Sequence, residues 1–269
     1  MIDLIINAPQ SPIIGYVFKY PIRYYGLIMA FVFFLGVVMT YFLFRFKKSK
    51  DYADTFLDYS PLVIFVAIIG ARLFYVLGSL EFYIARPSEI FLINHGGLSI
   101  YGAIIFGLLT LLFISKKKNF SFLEHLDMIA VVFPLCQAIG RFGNYFNQEA
   151  FGMPANYGIK LFVDVAYRPI ESTNVAYYHP TFLYESVLDL IIFSILLNVF
   201  LRNKNLKNGI ISCVYLILYS ITRFFIEAIR IDSVLNFFGI PIAQWISLFV
   251  FIFSIVGIVL ILRNKKAMH

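Results

Sequence analysis

Seven apolar runs fix what this chain can fold into, because each is about long enough to cross a ~30 Å hydrocarbon core as a helix. They lie near residues 21–44, 57–80, 98–114, 122–139, 181–201, 209–230 and 241–262 of the 269. Lipid offers no partner to a bare backbone N–H or C=O, so spanning segments of this length must be helical. The expectation is an all-α, polytopic membrane protein with seven transmembrane helices. Charged residues make up 14% of the chain and the mean hydropathy is +0.83. A soluble domain carries roughly 25% charge, so a single water-soluble globule is excluded. The longest stretch outside the runs, about 140–180, is expected to form a small external cap on one integral membrane domain covering 1–269.

Orientation follows from the cations. Arg45/Lys47/Lys48/Lys50, Lys116/Lys117/Lys118, Arg202/Lys204/Lys207 and Arg263/Lys265/Lys266 hold thirteen of the 22 Lys and Arg residues. Seven crossings bring all four clusters to one side, and the positive-inside rule makes that side cytoplasmic, with the N-terminus outside. The same clusters account for the net charge of +7 without a nucleic-acid partner. Residues 1–15 have no basic leader and no long apolar core, so they do not read as a cleaved signal peptide. Cys136 and Cys213 both fall inside apolar runs and read as inert thiols. No zinc spacing, CxxC pair or nucleotide motif appears, so no metal or cofactor is expected.

Charge inside a span costs at least ~2.5–3.5 kcal/mol on insertion scales and marks candidate function. Five places carry polar residues that the lipid would reject. RYYGL (23–27) opens the first run; Tyr24 reads as an interfacial aromatic, whereas Tyr25 beside Gly26 suits close approach of a ligand. GARLFYVLG (70–78) holds Arg72 alone among apolar residues, in need of an anion partner, structural or functional. HGGLSIYG (95–102) brings His95, two glycines and Tyr101 to the start of the third run, where irregular backbone is acceptable only if it is buried or lines a wet cavity. The fourth place joins GRFGNYFNQEAFG (140–152), with Arg141, Asn144, Asn147, Glu149 and Gly152, to HPTFLYE (179–185), whose His179 and Glu185 also read as helix-cap chemistry. The fifth is TRFFIEAIR (222–230), where Arg223 and Glu227 share a helix face and Arg230 leaves one cation in excess. All five map to the external half of the bundle. Arginine grips phosphate through paired hydrogen bonds, so an arginine-rich layer open to lipid suits a phospholipid head group.

These residues resemble a known family. GRFGNYFNQEAFG is similar to the signature of the bacterial prolipoprotein diacylglyceryl transferases, R-x-G-N-aromatic-x-N-x-E-x-x-G, matched by Arg141, Gly143, Asn144, Asn147, Glu149 and Gly152. RYYGL, GGLSIYG, HPTFLYE and TRFFIEAIR resemble the family's other landmarks in the same order. The resemblance implies transfer of the diacylglyceryl group of phosphatidylglycerol to the lipobox cysteine of a prolipoprotein signal peptide, by a thioether bond and with release of glycerol phosphate. It implies a bacterial cytoplasmic membrane as the location. Tyr25, Arg141, Asn144, Arg223 and Glu227 fall where the family has residues associated with activity. Two positions depart from the pattern, with Tyr101 where members often have His and Phe182 where they commonly have Gln.

The nucleophile would arrive on the substrate, and its thiol must lose a proton. Glu149 or Glu227 would take it, with Tyr101 or Tyr25 as relay. Arg141, Asn144 and Arg223 would meet the charge growing on the leaving phosphate, while Gly152, Arg72, His179 and Arg230 complete the substrate-binding layer. The competing reading is an anion or lipid transporter using the same arginines. Against it, the charges cluster in one layer and no repeated halves are found.

Overall fold

The computed structural model describes residues 3–7, 9, 11–93, 96–203, 205–231 and 236–263. His95, Lys204, Lys265 and Lys266, singled out above, lie outside the described residues. Within them, seven helices are long and apolar enough to cross a membrane, as the hydropathy requires. These are α1 (Tyr24–Lys47), α2 (Lys50–Gly78), α4 (Ile100–Lys118), α5 (Phe122–Asn147), α6 (Thr181–Arg202), α7 (Ile210–Ile229) and α8 (Ile242–Arg263), with a short α3 (Leu80–Ala85) after α2. Their outer faces are aromatic and aliphatic: Phe34, Phe65, Phe113, Phe249 and Leu260 are all exposed. Water would expel such surfaces, and lipid accepts them.

Helix ends follow local chemistry. The Ser49 side chain caps α2, its Oγ accepting from the Tyr52 amide at 3.2 Å. That cap starts α2 ahead of the apolar run, with Asp51 in the first turn where the helix dipole favours an anion. The first, third, fifth and seventh spans end in basic residues, Arg45 and Lys47, Lys116 to Lys118, Arg202, and Arg263. These cations also complement the C-terminal ends of the helices they close.

The chain divides into two compact units, Thr40–His125, and Met1–Met39 with Leu126–His269. In the former, α2 packs on α4 where Gly70 meets Gly102. A Cβ on Gly102 would collide with the Gly70 carbonyl, and one on Gly70 with Phe106, so only glycine permits this crossing. At the other end of this unit, the fully buried His125 ring stacks on Phe120 at 3.8 Å and meets Phe44 at 4.7 Å.

In the other unit α7 packs along α8 and against α6. Asp127 of α5 anchors the start of α7: its carboxylate accepts from the Gly209 amide at 2.7 Å, the Ser212 amide at 2.8 Å and the Ser212 hydroxyl at 2.7 Å. A carboxylate at a helix N-terminus satisfies orphan amides and the dipole together. Between α5 and α6 the chain forms the cap, and here strands appear that the helical periodicity gave no reason to expect. Strand β1 (Leu4–Asn7) runs parallel to β4 (Ile159–Phe162), which pairs antiparallel with β5 (Tyr177–Tyr178). Hairpins β2 (Ile13–Val17)–β3 (Tyr20–Arg23) and β6 (Asn236–Phe237)–β7 (Ile240–Pro241) precede α1 and α8. Phe151, Leu161, Val163, Tyr178 and Phe182 form the cap's own core. Lys160 clamps Asp3 at 2.6 Å across the β1–β4 pair, and the Gly158 amide donates to the same carboxylate. The lysine hydrogen bond, with help from that amide, holds the Asp3 pKa below its ordinary value. A lowered folded pKa means that this tie persists at neutral pH and is lost only as the pH falls through that lowered value.

Asp127→Ala removes all three bonds at the α7 start. At about 1–3 kcal/mol for each donor left unmatched, the variant is expected to unfold measurably earlier in a thermal melt in detergent, with Asp127→Asn falling between it and the parent.

Candidate active site

Helix α5 continues through the first part of GRFGNYFNQEAFG and ends only at Asn147. The cap therefore starts later than the apolar pattern indicated, and Arg141 and Asn144 project from a rigid helix. Glycine disfavours helix by about 1 kcal/mol, yet Gly143 is kept because the Tyr25 ring lies where a side chain would go. One turn of α1 and one turn of α5 are thereby held in contact, with Tyr24 stacked on Phe146 at 4.2 Å.

Beyond Asn147 the backbone turns sharply. Gln148 and Ala150 adopt φ of 51° and 56°, a left-handed conformation that residues with a side chain adopt at a cost and that clusters at functional sites. Between them Glu149 is held out into the open. Its Oε1 accepts from Asn144 Nδ2 at 3.0 Å and Asn147 Nδ2 at 3.1 Å. The turn is pinned by Gln148, which is buried; its amide donates to the Pro9 carbonyl at 2.9 Å and accepts from the Asp164 amide at 2.8 Å. Glu149 opens onto a cavity of about 580 Å³ that Arg23, Asn147, Tyr167 and Arg168 also line.

Below this turn lies a chain of ion pairs. Arg141 Nη1 meets Glu185 Oε2 at 3.1 Å, and Arg223 Nη1 meets the other oxygen of the same carboxylate at 2.8 Å. Arg223 Nη2 pairs with Glu227, the helical i,i+4 pair that the spacing implied. Glu185 and Glu227 are 5% exposed each, so water screens these charges little. Arg141 is thus partnered by Glu185. Arg230 lies just past α7 as its C-cap, and its strand-like bridge is to Gly152. Gly152 stands at a three-way junction: its amide donates to the His179 carbonyl at 2.9 Å, and a Cβ would press on His179, Thr181 and the Ile229 carbonyl. The His179 ring is 3.2 Å from the Tyr184 hydroxyl. Tyr25, Arg141, Asn144, Glu149, Gly152, His179, Glu185, Arg223, Glu227 and Arg230 all belong to one unit of the fold.

Arg72 and Tyr101 belong to the other unit. The anion expected beside Arg72 is replaced by carbonyl oxygens. Its Nε donates to Ile90 at 2.9 Å, Nη1 to Gly96 at 2.6 Å and Gly97 at 2.9 Å, and Nη2 to Glu89 at 2.5 Å and Leu92 at 3.4 Å. Five donors meet five carbonyl dipoles, and the guanidinium lies over the Tyr83 ring at 5.3 Å. The Gly96–Gly97 bend, at φ of 89° and 80°, wraps this side chain and leads into α4, where Tyr101 is half exposed on the first turn.

The family model for prolipoprotein diacylglyceryl transferase matches residues 12–260. The chain belongs to this family. A phosphatidylglycerol–prolipoprotein diacylglyceryl transferase of Thermotoga maritima is 38% identical over 259 residues, covering 93% of this chain and 85% of that protein. One of Synechocystis is 40% identical over 260 residues, covering 95% and 91%, and one of Acaryochloris marina is 41% identical over 227, covering 84% and 82%.

Membership of the diacylglyceryl transferase family sharpens what the residue pattern missed. Glu185 read as cap chemistry, yet it joins Arg141 and Arg223. The available signal was its spacing: Glu185 and Asp189 are four apart on an apolar span, so two acids share one face. The departure at Phe182 also has a physical account. That ring is 3% exposed in the cap core, 5.1 Å from Tyr145 and 5.8 Å from Phe142, where an amide would lack water. Arg72→Lys would keep the charge but leave at least two of the five carbonyls unmatched. The expected cost is about 2–3 kcal/mol, read as a lower melting temperature with faster proteolysis within residues 86–99.

Proposed function

We propose that this chain moves the diacylglyceryl group of phosphatidylglycerol onto the cysteine thiol of a prolipoprotein lipobox, as the names of its relatives state for them. The observation that carries this reading is the Arg141–Glu185–Arg223 bridge beneath Glu149. Two guanidinium groups share one buried carboxylate, and Arg141 meets it through one nitrogen alone, so it can turn to a phosphate that enters from the lipid. Arg141 and Arg223 grip that phosphate, and Asn144 orients Glu149 beside it. Glu149 is the better placed of the two candidate bases. It is exposed and held by neutral amide donors, whereas Glu227 is buried and committed to Arg223.

The chemistry balances without a covalent enzyme intermediate. The thiol S–H bond breaks and its proton passes to Glu149, directly or through Tyr25, which stands within electrostatic reach of Glu149 and Arg141. The sulfur forms a bond to the terminal glyceryl carbon of the lipid while that carbon's bond to the phosphate oxygen breaks. The leaving electron pair stays on that oxygen, where fixed cationic donors lower the barrier. Gly152 sets the distance between the cap and the ends of α6 and α7. His179 and Arg230 flank that junction. Within the other unit, Arg72 holds the Gly96–Gly97 bend that leads into the helix bearing Tyr101. Purified protein with labelled phosphatidylglycerol and a lipobox peptide should yield a thioether-linked diacylglyceryl peptide and glycerol phosphate. Arg141→Lys keeps a charge but loses the forked geometry. Losing one charge-assisted bond of about 1.5–3 kcal/mol should slow transfer roughly ten- to a hundredfold in a protein that still folds. Wild-type turnover by Arg141→Lys would remove the phosphate role.

The chain operates in a bacterial cytoplasmic membrane with its N-terminus outside, which sets the signature layer on the outer side, where a secreted prolipoprotein presents its cysteine. Support comes from the basic last turns of the first, third, fifth and seventh spans. A reporter fused after His269 should be active only in the cytoplasm, and activity outside the cell would reverse this topology.

A further inference from the structure

Asp189 has no part in the site as described so far. It stands on α6 one turn beyond Glu185 and is 2% exposed, and its Oδ2 is shut off from solvent with no hydrogen-bond donor among the described residues. The groups facing it are Glu185 on its own helix, Arg141 of α5, and Tyr215 and Tyr219 of α7. The Tyr215 hydroxyl is already committed to Gln137 at 2.8 Å. Arg141 and Arg223 both pair with Glu185 in the chain of ion pairs. An ionised Asp189 would set a second acid beside Glu185 against Arg141, in a place where unpaired charge is costly. It would also repel the phosphate that the two arginines are there to bind.

Apart from the Arg141 ion pair, Glu185 Oε2 has no hydrogen-bond partner and is closed to solvent. When a phosphate draws Arg141 away, that oxygen is left as a buried, unmatched acceptor. We propose that Asp189 acts as a neutral acid and a positioning residue, donating its carboxyl O–H to Glu185 Oε2 as the lipid phosphate takes Arg141. An O–H donor to a carboxylate makes a short, strong bond. Arg141 then has two settings, on Glu185 when the site is empty and on phosphate when it is filled, and Asp189 makes the second accessible. The inference rests on the transfer reading given above.

The test separates binding from chemistry by measuring KM for phosphatidylglycerol and kcat in nanodiscs, with a melting curve on each preparation. Asp189→Leu removes the donor and should raise KM about tenfold, the worth of roughly one charge-assisted bond, with kcat changed much less. Asp189→Asn restores a neutral donor and should recover most of that loss. An unchanged KM in a folded Asp189→Leu protein would overturn the proposal. So would an Asp189→Asn protein that binds lipid normally but has lost kcat, because that result requires the ionised carboxylate. If Asp189→Leu fails to melt cooperatively, Asp189→Asn decides alone: a KM near that of the parent supports the role, and a tenfold rise contradicts it. Absence of transfer by the parent protein would instead strike the reading on which this rests.

Discussion

One carboxylate, Glu185, holds two arginines in a helical bundle whose outer surface is made for lipid. Arg141 would be intolerable there without it, Arg223 would be left to Glu227 alone, and Glu185 itself, 5% exposed, would be intolerable without them. This mutual dependence fixes the relative placement of α5, α6 and α7 at one level, since Arg141, Glu185 and Arg223 come from one helix each. The remaining polar features of that unit are arranged around the same level. Gly143 brings α1 against α5, Gly152 brings the cap against α6 and α7, and the left-handed residues Gln148 and Ala150 hold Glu149 above the bridge.

A resting ion pair is not the same thing as a binding site. The bridge keeps two guanidinium groups oriented at a depth where free cations would otherwise seek water. A phosphate brings hydrogen-bond acceptors of the same kind as those of Glu185, so exchanging one for the other creates no unpaired arginine. The neutral amides of Asn144 and Asn147 do the equivalent for Glu149, orienting a carboxylate without neutralising it. Arg72 solves the same problem in a third way, by surrounding a cation with backbone carbonyls.

The spans were legible in the sequence because a hydrocarbon solvent imposes length and composition directly, and the helices fall on the seven apolar runs. The Arg223–Glu227 pair was legible for a similar reason, since helical spacing is local. What stayed hidden was non-local. Strand β1 pairs with a segment more than 150 residues away, from Leu4 to Ile159, and four residues of LIIN carry no trace of that partner. The run from Gly140 to Asn147 read as cap because two glycines and three polar residues weaken helix propensity locally, whereas packing of Gly143 on Tyr25 restores it. Arg72 read as a cation in want of an anion because sequence cannot show that a bend of backbone will fold around it. Glu185 read as a cap because its partners lie 44 residues before it and 38 after it.

The central claim is that Arg141 exchanges Glu185 for a lipid phosphate. The measurement that meets it most directly is a structure of the protein in nanodiscs with phosphatidylglycerol bound. The phosphate oxygens should lie within hydrogen-bonding distance of Arg141 and Arg223, with the Arg141–Glu185 contact opened beyond about 4 Å, the limit of an ion pair. A phosphate held elsewhere while Arg141 stays closed on Glu185 would contradict the account.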